Sequence, residues 1–326
     1  LLFILFFLVL MTGPANIGHK EFWNIFLGSE RFSTYSQIIW DLRFPKAIVA
    51  LLAGAALGIS GLLMQTWFQN PLADPYILGI HSGASLMVAI WIMGAELLGL
   101  NLSNLIGQFG ILGAATTGSF LVLLLILFIG TRFSSKLFII VFGLVFGHLV
   151  SGLVNILVVL SKAEEMRSYM IWNLGSFQRV LPEQLSFFAF IITLGLSISF
   201  LGVKPLNLLL LGRDYAQSSG ISIKRSQFFV LILVSLLSGT VTAFCGPIVF
   251  IGIMAPHISR LLIQTNDHKK LIPFTLIIGS TLSLMAEFIS SAFFGDIIIP
   301  INAILGIIGA PMLLLFTIQS SNKGHM

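Results

Sequence analysis

Charge is the scarcest property of this chain. Asp, Glu, Lys and Arg make up 9% of its 326 residues, against roughly 25% in soluble domains, and the mean hydropathy is +1.03. Too few charges are present to cover a water-exposed surface, which excludes a soluble enzyme or binding module. Cysteine is almost as rare. Cys245 stands alone, which excludes an internal disulfide framework and a cysteine metal site. No G-x-x-x-x-G-K-[ST] phosphate loop occurs, so any use of ATP belongs to a separate chain. The net charge of +5 is scattered through short polar segments and forms no basic, aromatic-lined face, which excludes nucleic acid as a partner.

What the chain has in abundance is long apolar runs. A bilayer crossing needs about 20 apolar residues, so an all-α polytopic membrane protein of about ten spans, forming one transmembrane domain over residues 1–326, is expected in lipid. Leu1 to Met11 reads as the outer part of a first span that begins before Leu1, followed by a polar loop from Thr12 to Asp41. Spans two to five are expected near Pro45–Met64, Ile77–Met93, Leu105–Gly130 and Leu137–Leu160. After an amphipathic connection, Ser161 to Arg179, spans six and seven fall near Leu185–Val203 and Phe228–Phe244. Span eight begins in CGPIVFIGIMAPHISRLL, and spans nine and ten lie near Leu271–Phe293 and Ile298–Ile318. Such an arrangement gives the first and last five spans opposite orientations, the geometry of an inverted repeat.

One polar island interrupts the second half: KPLNLLLLGRDYAQSSGISIKRSQ, Lys204 to Gln227. Long apolar segments flank it, so it lies at a membrane surface. Its pattern predicts two short helices: Asn207 caps Leu208 to Leu211, Gly212 breaks the chain, and Arg213 to Ser219 end at a left-handed C-cap on Gly220. A compact knob with four cations and one acid fits a docking surface for a cytoplasmic partner; the plain alternative is an ordinary positive-inside loop. With the island inside, that side holds ten cations and three acids and the other seven cations and eight acids, with Glu287 inside span nine. The bias has the sign that the positive-inside rule requires.

Several polar residues fall within the spans. Glu287 is an intramembrane acid, a functional candidate by default; without charged partners evident in other spans, a structural role with hydrogen bonds to a neighbouring helix is the expectation. His257 follows Pro256, which frees a backbone carbonyl, and reads as a packing residue. His81 and His148 sit in different spans with no carboxylate nearby, which fits satisfied interior histidines better than haem ligands. In span five, Gly143, Gly147, His148, Ser151, Gly152 and Asn155 form one small, weakly polar stripe, suited either to lining a path or to close helix packing.

Four stretches carry a family resemblance: LRFPKAIVALLAGAALGISGLLMQ (Leu42–Gln65), NPLADPYILGIHSGA (Asn70–Ala84), LNLLLLGRDYAQSSGI (Leu206–Ile221) and GPIVFIGIMAPHISRLL (Gly246–Leu262), with a weaker fifth at Ile299–Phe316. In order and spacing they resemble the FecCD-type permeases, the membrane subunits of ABC importers for iron-siderophores, haem and cobalamin. The resemblance implies a type II importer fold of ten helices in the bacterial cytoplasmic (inner) membrane, with both termini cytoplasmic. It also implies a homodimer, two cytoplasmic ATPase subunits that hold ATP and Mg, and an extracytoplasmic substrate-binding protein. The chain itself would carry no cofactor and no catalytic residue.

On the same resemblance, residues 204–227 are the coupling segment, through Leu211, Gly212, Arg213, Asp214, Ala216 and Gly220. Arg43 and Lys46 would dock the binding protein, although snorkelling at a span end explains them equally well. Span five, with Ser134 and Ser135 before it, would face the path and inner gate. Asn70, Pro71, Asp74, Pro75, Gly246, Pro247, Pro256, His257 and Arg260 are motif positions. Two features depart from the family: Glu287 stands where relatives usually have Asp, and AEFISS (Ala286–Ser291) lacks the arginine that often follows, leaving Arg179 or Lys162 to supply that contact. The competing class is an ion-coupled secondary transporter using Glu287 and the helix breaks at Gly246-Pro247 and Ala255-Pro256-His257; a passive channel is the third.

Overall fold

The computed structural model describes residues 1–15, 17–27, 33–94, 104–132, 136–292 and 299–323, and among these it contains helices and no strand. The N-terminal third comprises α1 (Leu2–Met11), α2 (His19–Phe26) and α3 (Thr34–Gln37). A π-helical stretch, Ile38–Arg43, joins α3 to α4 (Phe44–Phe68). A turn then leads to α5 (Ile80–Ala89), which ends in a second π-helical stretch, Ile90–Gly94; α6 (Asn104–Arg132) and α7 (Lys136–Leu160) follow. The second half comprises α8 (Ala163–Asn173), α9 (Pro182–Ser199), α10 (Val203–Leu210), α11 (Arg213–Ser218), α12 (Ile223–Cys245), α13 (Ile251–Ile263), α14 (His268–Ala292) and α15 (Ile301–Lys323).

Six helices are long and apolar enough to cross a membrane, and four shorter apolar ones, Leu2–Met11, Ile80–Gly94, Ile251–Ile263 and Ile301–Leu315, bring the described total to the ten expected. Two of the short ones, α5 and α13, are short because irregular chain precedes them. Backbone that leaves a helix at membrane depth must find partners inside the protein. Before α13, Asn302 supplies them: its amide donates to Pro247 O at 2.7 Å and accepts from the Val249 N–H at 3.3 Å.

α4 is the axis of the molecule. In its most apolar stretch 83% of the residues are buried, against 22% for α7. Small residues allow this, because lipid gives helices little hydrophobic reason to associate and close backbone contact must supply the attraction. A Cβ on Gly54 would lie 2.2 Å from Gly279 O of α14, and one on Gly61 would lie 1.8 Å from Gly252 O of α13. Serines reinforce the first contact: Ser283 donates to Ala50 O at 2.6 Å and Ser280 to Leu51 O at 2.8 Å.

The island differs in one detail from its sequence pattern. A 3-10 turn, Phe200–Gly202, carries the chain from α9 directly into α10, which begins at Val203. Pro205 sits in its first turn, where no intrahelical N–H is required. Asn207 is therefore inside α10 and caps nothing, a correction that frees its side chain for a different role. The second half of the island follows the pattern: Gly220, at φ +85°, closes α11 with Gly220 N–H to Gln217 O and Ile221 N–H to Ala216 O, both at 3.0 Å.

Replacing Gly61 by Ala is expected to destabilise the protein by about 1–3 kcal/mol, as overpacking does. Gly113→Ala, where a Cβ meets nothing within 4 Å, should be neutral or slightly stabilising. Melting in mild detergent checks the pair; equal melting points would show that the α4–α13 contact is not limiting.

Candidate functional site

The island is clamped to the C-terminal turn of α4 by polar side chains from three segments. Asn207 donates to Asp267 Oδ1 at 2.6 Å, while its Oδ1 accepts from the His268 backbone N–H at 2.9 Å and faces His268 Nδ1 at 2.7 Å. His268 Nε2 lies 2.8 Å from Thr66 Oγ1, whose hydroxyl donates to Leu62 O at 2.9 Å. Donors from the Lys269 backbone and then from Asn207 hold the Asp267 carboxyl below the usual carboxylate range. Gln69, in a left-handed conformation at the end of α4, donates to Leu209 O at 3.0 Å. The Arg213 guanidinium lies 5.5 Å from the centre of the Trp67 ring, within cation–π range.

What remains exposed is the far face. Leu211, Asp214 and Tyr215 point outward while Ala216 is fully buried. Gly212 has φ +108° and ψ 155°, a backbone region that is essentially glycine's own. No atom lies within 4 Å of a Cβ built on Gly212 or Gly220, so backbone conformation alone demands these glycines.

Beneath the island, α13 is tied to the same end of α4. Pro256 has no N–H for Gly252 O, and the Gln65 amide approaches that carbonyl at 3.4 Å. Arg260 donates to Gln65 Oε1 at 2.5 Å. In the turn after α4, Asn70 Oδ1 accepts from Leu72 N–H at 2.9 Å, and buried Asp74 caps the 3-10 turn Pro75–Leu78 through Tyr76 N–H at 2.7 Å. Pro71, His257 and Arg260 border a cavity of about 450 Å³ beside Leu210.

At the other end of α4 the structure corrects two expectations. Lys46 Nζ lies 2.7 Å from Glu287 Oε1, and both side chains are buried. The intramembrane acid therefore has a charged partner, and the lysine is committed to it. Arg43 is also turned inward, donating to Leu10 O, Met11 O and Ala15 O. Neither cation is presented at the surface for docking; α8 instead exposes Lys162 and Arg167 at this end.

Along α7, His148, Ser151, Gly152 and Asn155 are exposed beside Leu144, Leu149 and Leu153, whereas Gly143 is buried and Gly147 half-buried. The stripe thus occupies an open helix face. Ser134 and Ser135 lie outside the described residues. Buried His81 meets the Thr242 hydroxyl through Nδ1 at 2.6 Å, a satisfied interior histidine. No cluster of three metal-ligating side chains occurs among the described residues.

The sequence model of the FecCD transport family matches residues 1–319. The chain belongs to the FecCD transport family. A molybdate import system permease, MolB of Haemophilus influenzae, is 32% identical over 85% of this chain and 79% of its own length. A ferric enterobactin transport permease, FepD of Escherichia coli, is 30% identical over 99% of this chain and 94% of its own. Among solved structures, one described as an inward-facing metal-chelate type ABC transporter superposes with a TM-score of 0.81 at 28% identity, covering 98% of this chain and 97% of that one. This FecCD protein is thus a multi-pass permease subunit of an ABC transporter.

The sequence located the island but missed what holds it. Asn207 read as a cap, and nothing singled out Asp267 or His268. The one available signal was the density of polar residues in Thr265–His268 between two apolar helices.

The buried ion pair yields a prediction. Lys46→Met strands a carboxylate and should cost about 3–5 kcal/mol, while the Lys46→Met, Glu287→Met double variant should recover most of it. Thermal unfolding of the three variants decides; a double variant no better than the single one would dismiss the pairing.

Proposed function

We propose that this chain forms one half of an importer for an iron-siderophore, haem or cobalamin-type ligand. Two copies enclose the path, and hydrolysis of ATP on separate subunits drives alternating access. The observation that carries this reading is the island: two short helices joined at a glycine, exposed on one face and fastened by the other to the end of α4 and the start of α14. A rigid knob attached to several spans can turn the movement of a docked ATPase into a rigid-body movement of those spans. The open, weakly polar face of α7 suits a path shared between two copies. Walls with few charges let a bulky ligand leave, where a tight site would trap it.

The island side is the cytoplasmic one in this proposal, and the binding protein meets the opposite loops. Glu287 supports ATP coupling over ion coupling. A carboxylate held at 2.7 Å by a buried lysine is already compensated and has little reason to exchange a proton in each cycle.

Two experiments test the proposal. Proteoliposomes holding this chain, its ATPase and its binding protein are expected to accumulate one of ferric siderophore, haem or cobalamin only when ATP is on the ATPase side; uptake that ignores ATP and follows a proton or sodium gradient would overturn it. Gly212→Val or Gly220→Val places a β-branched residue in a left-handed conformation at about 1–2 kcal/mol. ATP hydrolysis should persist in these variants while uptake falls several-fold; normal uptake would remove the island from the coupling role.

A further inference from the structure

One crossing away from the island, the connection between α8 and α9 folds over a cavity of about 640 Å³. Its walls come from that connection, from the ends of α6, α12 and α14, and from residues 299–301. This volume lies within the range of pockets that enclose organic ligands of some tens of heavy atoms. Phe244, Ile111 and Ile299 give the lining apolar surface, and Trp172, Gln178 and Arg179 bring donors to it.

Two of those donors lack partners. Arg179 Nε and Trp172 Nε1 are buried, and neither has a hydrogen-bond acceptor among the described residues. A buried donor left unpaired costs about 1–3 kcal/mol, more when it is charged. The carboxylate in the lining, Glu287, is paired with Lys46 at 2.7 Å. Arg179 thus brings to the cavity a cation whose Nε has no acceptor among the described residues. Nearby loop geometry keeps the space open. Ser176 N–H bonds Cys245 O at 2.8 Å, and Gly175 approaches the unwound chain so closely that a Cβ would lie 2.9 Å from Pro247 O.

We propose that this cavity is an outer subsite for an anionic, partly apolar chelate, with Arg179 and the Trp172 indole N–H holding the anionic edge and Phe244 and Ile299 carrying the apolar body. The subsite rests on the importer reading and names the ligand chemistry within it: a metal chelate bearing carboxylate or catecholate oxygens, held on its way into the path. Lipid headgroups offer a similar anionic group, so the membrane used in the test must lack one.

The test uses the permease with its ATPase subunits in nanodiscs of zwitterionic lipid, without binding protein. Equilibrium binding is measured for a radiolabelled, triply anionic ferric tris-catecholate and for an uncharged ferric tris-hydroxamate. The anionic chelate should bind, Arg179→Gln should weaken it about tenfold or more, Trp172→Phe should weaken it less, and Arg179→Lys should recover part of the loss. None of the three substitutions should change binding of the uncharged chelate. No binding of the anionic chelate to the unaltered protein, equal affinity in Arg179→Gln, or the same loss for both chelates would overturn the subsite. If anionic lipid restored to the nanodiscs displaces the chelate from the unaltered protein but not from Arg179→Gln, the subsite stands and headgroups compete for it. ATP-driven uptake by the complete assembly separates the two readings. Uptake that needs ATP yet ignores Arg179 sinks the subsite alone; uptake of every chelate without regard to ATP sinks the importer reading itself.

Discussion

The backbone-to-backbone contact of α4 with α13 and α14 is the constraint on which the rest depends. A helix cannot be drawn into the centre of a membrane bundle by a hydrophobic effect that lipid already satisfies. Here attraction comes from glycines and serines that let carbonyls and Cα atoms approach, at Gly54 against Gly279 and at Gly61 against Gly252. Once α4 is fixed, its two ends are fixed as well, and each end carries polar groups that need partners. The outer end brings Lys46 to Glu287; the inner end brings Gln65 to Arg260, Thr66 to His268 and Gln69 to Leu209.

These partnerships give the two ends different mechanical characters. At the outer end, Lys46 is paired with Glu287, and Arg179 lines the cavity beside them. At the inner end, neutral and charged hydrogen bonds fasten an island whose remaining face is open. A knob fastened on one face and free on the other suits transmission of a push from a partner, which in the proposed importer is the separate ATPase. The exposed face of α7 sets His148, Ser151 and Asn155 among exposed leucines and valines.

Much of this was legible in the sequence. The ten apolar runs, the glycine-broken island and its left-handed cap at Gly220 all follow from local rules: span length, turn chemistry and the need for positive φ. The Gly246-Pro247 motif flagged a helix break that the structure places between α12 and α13, whereas α13 runs on unbroken through Pro256, where the sequence had suggested a second one. What escaped was long-range pairing. Lys46 and Glu287 are separated by most of the chain, and nothing local says that they meet, so the lysine read as a surface residue and the acid as one without a charged partner. Asn207 shows the same limit: its neighbours suggest a cap, but the preceding 3-10 turn extends the helix past it and turns its amide toward Asp267. Arg179 read as a docking contact for the binding protein, because the chain segments that build the cavity around it lie far from it in sequence.

The central claim is that the island and the inner end of α4 form one mechanical unit. Hydrogen exchange followed by mass spectrometry on Asn207→Ala, compared with the unaltered protein, tests it directly. The account predicts faster exchange in Val203–Leu211, in the last turn of α4 and in the first turn of α14 together, with the outer ends unchanged, because Asn207 holds His268 at the start of α14 and His268 in turn meets Thr66 of α4. Faster exchange confined to the island, with α4 and α14 unaffected, would contradict it.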